Sequence, residues 1–165
     1  MAWKKNTTKT LTATTAGITT DVYTPTKFNM SMFHGISASA STNIHINYGT
    51  TTIDTGTVTA MRESTNGSAD STNVSRTDGY ASGASIAIGL DGFVISYMVN
   101  LATEEKLSIH FIVVNGTSGA GTAPNRGETV QKYTGVSTQV DIMKFSGSGS
   151  GTLITDSNAT ILGTD

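Results

Sequence analysis

At 165 residues the chain is long enough to bury a core of its own, and it holds no cysteine, so disulfides and Cys-ligated zinc are excluded. Only 13% of residues are charged, against about 25% in an ordinary soluble domain, and the formal net charge is -2. Lys and Arg are scattered rather than striped, so the phosphate-neutralising surface of a nucleic-acid binder is missing, and no apolar run is long enough for a membrane-spanning helix. The polar surface must therefore be built from Thr, Ser, Asn and Gly.

In chain order, the opening MAWKKNTTKT carries lysines with no apolar stretch behind them, unlike a secretory leader. Trp3, Lys4, Lys5 and Lys9 precede the first good strand. Residues 1–9 read as a docking arm, with the indole as anchor and lysines meeting acidic partner surface. They read more readily as an edge strand whose lysines block edge-to-edge pairing. Weak strand signals follow at Thr10–Thr14 and Gly17–Val22.

Period-two alternation then dominates, the mark of half-buried strands. Phe28, Met30 and Met32 alternate with Asn29 and Ser31; Ile44, Ile46 and Tyr48 alternate with His45 and Asn47. Phe93, Ile95, Tyr97 and Val99 form one face of a strand, with Val94 and Met98 opposite. Leu107, Ile109, Phe111 and Val113 alternate with Ser108, His110 and Ile112. These last two strands are the most apolar in the chain, which predicts a central place in a sheet covered on both sides. The intervening LATEEKL is too short for an independent helix and predicts a tight charged turn or a single helical turn. Weaker strand signals lie at Thr55–Met61, Ser85–Gly89, Thr129–Thr134, Gln139–Phe145, Thr152–Thr155 and Ala159–Leu162.

Three segments read as loops: Ser37–Asn43, the long Arg62–Ser85, and the Gly-rich Asn115–Arg126. Within the second, Arg62, Arg76, Asp78 and Tyr80 are candidates for an exposed recognition site. SGSGSG at Ser146–Gly151 joins two strand-like segments and reads as a hairpin tip. The whole predicts one all-β domain over residues 1–165, a two-sheet antiparallel sandwich, with a jelly roll leading and an immunoglobulin-like sandwich second.

Catalytic patterns are wanting. His34, His45 and His110 fall on predicted strands with no metal-binding spacing, and no GxSxG is present. The carboxylates are dispersed, and Glu104 and Glu105 point opposite ways if extended. The Gly-rich loop lacks the GK[ST] ending and following helix of a phosphate cradle. The N-x-S/T triplets at Asn6, Asn29, Asn66, Asn73, Asn115 and Asn158 are what a Ser/Thr-rich chain produces by chance. No catalytic residue, cofactor or metal is expected.

Several segments carry a resemblance. The opening MAWKK resembles the start of fibre and related virion proteins of tailed phages. GFVISYMVNLATEEKLSIHF, GTSGAGTAPNRGETVQKY and the ending SNATILGTD, with Gly163 and Asp165, resemble small surface proteins of phages and environmental viruses. The resemblance covers residues 86–165 well and the first half loosely. It implies a capsid decoration, cement or fibre protein: a jelly roll, often trimeric, made in the host cytoplasm, carried on the capsid exterior and bound to the major capsid protein. Attachment is then expected at one end of the sandwich, through Trp3, Lys4, Lys5 and Lys9 with Pro124, Asn125 and Arg126. The competing expectation is a carbohydrate- or receptor-binding module that uses an exposed aromatic, Tyr80 first, with Tyr23 and Tyr133 behind it, on a surface glycan.

Overall fold

The computed structural model describes residues 2–54, 58–65, 71–74, 80–135 and 138–165, and among these it contains no helix. The described residues form thirteen strands: β1 (Lys4–Thr10), β2 (Gly17–Thr19), β3 (Phe28–Ile36), β4 (Thr42–Thr50), β5 (Thr52–Asp54), β6 (Val58–Thr65), β7 (Ser71–Val74), β8 (Tyr80–Ile86), β9 (Asp91–Val99), β10 (Lys106–Val114), β11 (Asn125–Tyr133), β12 (Ile142–Gly147) and β13 (Asn158–Thr164). They form two antiparallel sheets packed as a jelly-roll-like sandwich. The larger has eight strands in the order β1-β13-β3-β9-β10-β11-β6-β7, and the smaller runs β2-β12-β4-β5, with β8 also paired to β4.

The all-β sandwich expected from the alternation is therefore present, and β9 and β10 occupy the middle of the larger sheet. Several strand limits differ from the pattern. The first strand is Lys4–Thr10 rather than Thr10–Thr14. It has no fully buried residue and is held by its ladder to β13, from Lys4 opposite Gly163 to Thr10 opposite Asn158. Arg62–Ser85, expected as one long loop, contains the end of β6, all of β7 and most of β8. Their composition hides them because pairing, of β6 to β11, β7 to β6 and β8 to β4, and not apolar periodicity, defines them. Residues 101–105 form the expected turn between β9 and β10, with Thr103 at φ 67°.

The core lies between the sheets. Ile44, Ile46 and Tyr48 of β4 and Met143 and Phe145 of β12 meet Phe33 of β3, Val94 of β9, Ile112 and Val114 of β10 and Ile161 of β13. Phe33 and Phe145 stack with ring centroids 5.1 Å apart, an offset aromatic contact of about 1 kcal/mol beyond its buried area. Asn100, at the end of β9, is wholly buried and binds three segments together. Its Nδ2 donates to the carbonyls of Thr26 and Val140 (both 3.0 Å), while its Oδ1 accepts from the Val140 amide at 2.7 Å.

Candidate interaction surface

The decisive feature is which face of the central strands turns inward. On β10 the buried set is Lys106, Ser108, His110, Ile112 and Val114, while Leu107, Ile109, Phe111 and Val113 face out. On β9 the buried set is Val94, Ser96 and Met98; Phe93, Tyr97 and Val99 are exposed and Ile95 half-buried. On β3 Asn29, Ser31 and Phe33 go in, and Phe28, Met30 and Met32 face away from the core. Three adjacent strands thus turn their more apolar set away from the core. The expectation that β9 and β10 are covered on both faces is met on one face only.

Register turns these side chains into a continuous patch. Phe28, Val99 and Leu107 lie side by side; then Met30, Tyr97 and Ile109; then Met32, Ile95 and Phe111; then His34, Phe93 and Val113. Val130 of β11 and Leu162 of β13 extend the second row at either side. None of these residues is Asp, Glu, Lys or Arg. Leu107 is 57% exposed and Val113 47%. Charges begin at the margin on β11, where Arg126 pairs with Glu128 (3.2 Å) and Lys132 with Glu105 (3.0 Å).

What holds the polar set inside is a hydrogen-bond network spanning the sandwich. The Tyr48 hydroxyl donates to Gln131 Oε1 (3.2 Å) and lies 3.0 Å from Ser108 Oγ and 3.3 Å from His110 Nε2. His110 Nε2 is also 3.0 Å from Ser108 Oγ, and its Nδ1 is 2.6 Å from Ser96 Oγ. Burial pushes the imidazole pKa down to about 4, against a smaller opposing pull from Gln131, so His110 is neutral at pH 7. Burial likewise pushes the Tyr48 phenol up, with Ser108 opposing. A serine beside a histidine is an assembly seen in hydrolases. Here both are sealed between the sheets (Ser108 6%, His110 0% exposed), and the pair serves packing.

Lys106, also fully buried, donates to the carbonyls of Glu104 (2.6 Å) and Gly135 (2.9 Å). Burial pushes its pKa down while the Glu104 carboxylate pulls it back up. His34 and His45 sit on β3 and β4, as expected from the sequence. His34 Nε2 lies 3.5 Å from Asp91 at the edge of the apolar patch. Asp91's carboxyl is held below the usual range, chiefly by the Asn115 amide. Among the described residues no group of three or more His, Cys, Asp or Glu could hold a metal.

The residues expected to attach to a shell are not brought together. Lys4, Lys5 and Lys9 lie on β1, an outer strand, with Trp3 just before it and 44% exposed; Lys9 is paired with Asp21 at 2.7 Å. Asn125 and Arg126 open β11, five strands across the sheet, or roughly 24 Å at the usual strand spacing. Lys4 is level with the Phe28 end of the strands, and Arg126 with the His34 end. Lys9, at the other end of β1, is level with Phe33 and Gly127, the end at which Arg126 lies, so what separates the lysines from Asn125 and Arg126 is the width of the sheet. Of the recognition candidates, Arg62 falls within β6 and Tyr80 opens β8, whereas Arg76 and Asp78 lie outside the described residues.

A groove of about 600 Å³ lies beside β5, lined by Thr50, Thr52, Ile53, Asp54, Tyr133, Gly135 and Thr138. It supplies hydroxyls, but Tyr133 is only 5% exposed and its ring packs against Tyr48 at 5.7 Å, so it presents no stacking platform. Tyr23, the other aromatic considered for sugar binding, is also 5% exposed.

The outward apolar face went unrecognised in the sequence as a surface. Its signal was there, in two neighbouring strands that are apolar on alternate positions yet carry Ser and His between them. Comparison of the chain with protein-family models, with curated proteins and with solved structures finds no match.

Proposed function

We propose that this chain is a non-enzymatic structural protein of the outer surface of a virus particle, a capsid decoration or cement protein that works by adding interface. The observation that carries the reading is the charge-free apolar face of β3, β9 and β10, far larger than the scattered apolar residues of an ordinary monomer surface. The low charge of the whole chain and the resemblance of its second half to phage and environmental-virus surface proteins support the same reading. A cement protein needs no chemistry. Binding the assembled shell but not its dissociated subunits shifts the assembly equilibrium by mass action, and many weak copies equal a few strong ones.

The test is cryo-EM of purified particles together with proteomics for this chain. Regular density on the shell, contacting the major capsid protein, is the expected result. Density confined to the tail moves the reading to a fibre, and absence from the particles overturns it.

A further inference from the structure

We infer that the outward face of β3, β9 and β10 is the surface through which copies of this chain associate, its occupant being a second copy of the same face or of its immediate surroundings. The inference rests on reading the chain as an interface-building protein, and it adds the partner. Its first support is area. Nine side chains, Phe28, Phe93, Tyr97, Val99, Leu107, Ile109, Phe111, Val113 and Val130, are between 37% and 57% exposed. Taking full areas of roughly 150–250 Å² per large side chain, they present on the order of 600–1,000 Å² of largely apolar surface. That range spans the roughly 800 Å² per partner of a stable protein–protein interface and lies at or above the largest patch of a typical monomer.

The second support is composition. Charge is depleted at the centre of the face and appears at its margin, where Arg126, Glu128, Lys132 and Glu105 supply both signs close together. A permanent interface has that core and rim. A mixed-sign rim can meet a copy of itself, whereas a rim of one sign would call for a partner of the other. The third support is timing. A face this apolar drives aggregation unless it is covered soon after folding. The one partner always present at the chain's own concentration is another copy.

Geometry permits it: two such sheets pack face to face about 10 Å apart, with side chains interdigitating as they do in the sandwich itself. A shell protein serving as the sole occupant would leave the face bare until assembly.

The experiment is native mass spectrometry and light scattering on the purified full chain and on Ile109→Lys and Phe111→Asp, each checked for folding by circular dichroism. Both positions face out of the sandwich, so the monomer fold should tolerate them. The expected result is an oligomeric wild type at micromolar concentration and folded variants with at least a hundredfold weaker self-association.

As a second readout, the chain has no cysteine of its own, so Ile109→Cys and, at the exposed tip of the 148–151 turn, Ser150→Cys can be labelled with a maleimide. Strong protection at position 109 with fast labelling at 150 supports the inference. A monomeric wild type, an oligomer unchanged by the folded variants, or equal labelling at both positions overturns it. The particle test separates the two readings. A monomer found on particles refutes self-association alone, and an oligomer absent from particles refutes the virion role alone.

Discussion

Tyr48 of one sheet reaches across the sandwich to His110 of the other, its hydroxyl 3.3 Å from the imidazole Nε2, and through that contact fixes which face of β10 is buried. Shifting β10 by one residue would carry Leu107, Ile109, Phe111 and Val113 into the core and expel Ser108 and His110. Counting apolar groups alone favours that register. The network of Tyr48, Ser96, Ser108, His110 and Gln131 opposes it, because each polar group already has a partner inside and the apolar set can be covered from outside.

Tyr48→Phe should destabilise the chain by about 1–3 kcal/mol, since it removes one buried hydrogen bond from each of Gln131 and Ser108 while keeping the ring. Urea unfolding checks this: the midpoint should fall with the slope unchanged. An unchanged midpoint would show that the network does not hold the register.

Acid should weaken the fold through His110. Its folded pKa of about 4 lies below the value near 6.5 expected when unfolded. Between those values the unfolded chain binds a proton that the folded chain refuses. The stabilisation is therefore complete above pH 6.5 and lost as pH falls toward 4, by on the order of 3 kcal/mol. Melting temperatures from pH 7.5 to 4.5 should decline in the wild type and decline less in His110→Gln, which cannot titrate.

Asn100→Ala removes both donors and the acceptor that join Thr26 and Val140 to the end of β9. The expected loss is roughly 2–4 kcal/mol, since the buried amide and carbonyl of Val140 and the part-buried carbonyl of Thr26 lose this partner. Asn100→Asp should rescue little, because its carboxylate would face the carbonyls of Thr26 and Val140. Chemical denaturation of both variants decides it.

Gly49 stands where β4 turns into β5, and a Cβ there would collide with the backbone carbonyl of Thr52. Gly49→Ala should cost about 2–3 kcal/mol because backbone must move. Gly121→Ala, with nothing within 4 Å of its added Cβ, should be within about 0.5 kcal/mol of wild type. Paired thermal melts give the comparison.

Much of the fold was legible because alternation is a local signal: Phe28–Met32, Ile44–Tyr48, Phe93–Val99 and Leu107–Val113 all lie in strands. The order of the strands and the sidedness of the sheet were not. Sidedness depends on what the opposite sheet presents, and the hydroxyl of Tyr48 means nothing until β4 and β10 face each other. β7 was illegible for a related reason: STNV has no periodicity, and pairing with β6 makes it a strand. Of the site, the lysines near Trp3 and the Pro124–Arg126 segment were visible as residue types, but their separation across the sheet is a property of strand order.

The pairing of β1 with β13 sets how the molecule responds to pulling. Lys4 lies opposite Gly163, and Thr10 opposite Asn158, so the two outermost partners sit at the same end of the ladder. Tension applied between Lys4 and Gly163 loads the rungs one at a time, as in a zipper, instead of shearing all of them together. β1 should peel away at low force while the central strands, each flanked on both sides, remain in place. A molecule tethered by its first strand would therefore lengthen by that strand before its core felt any load.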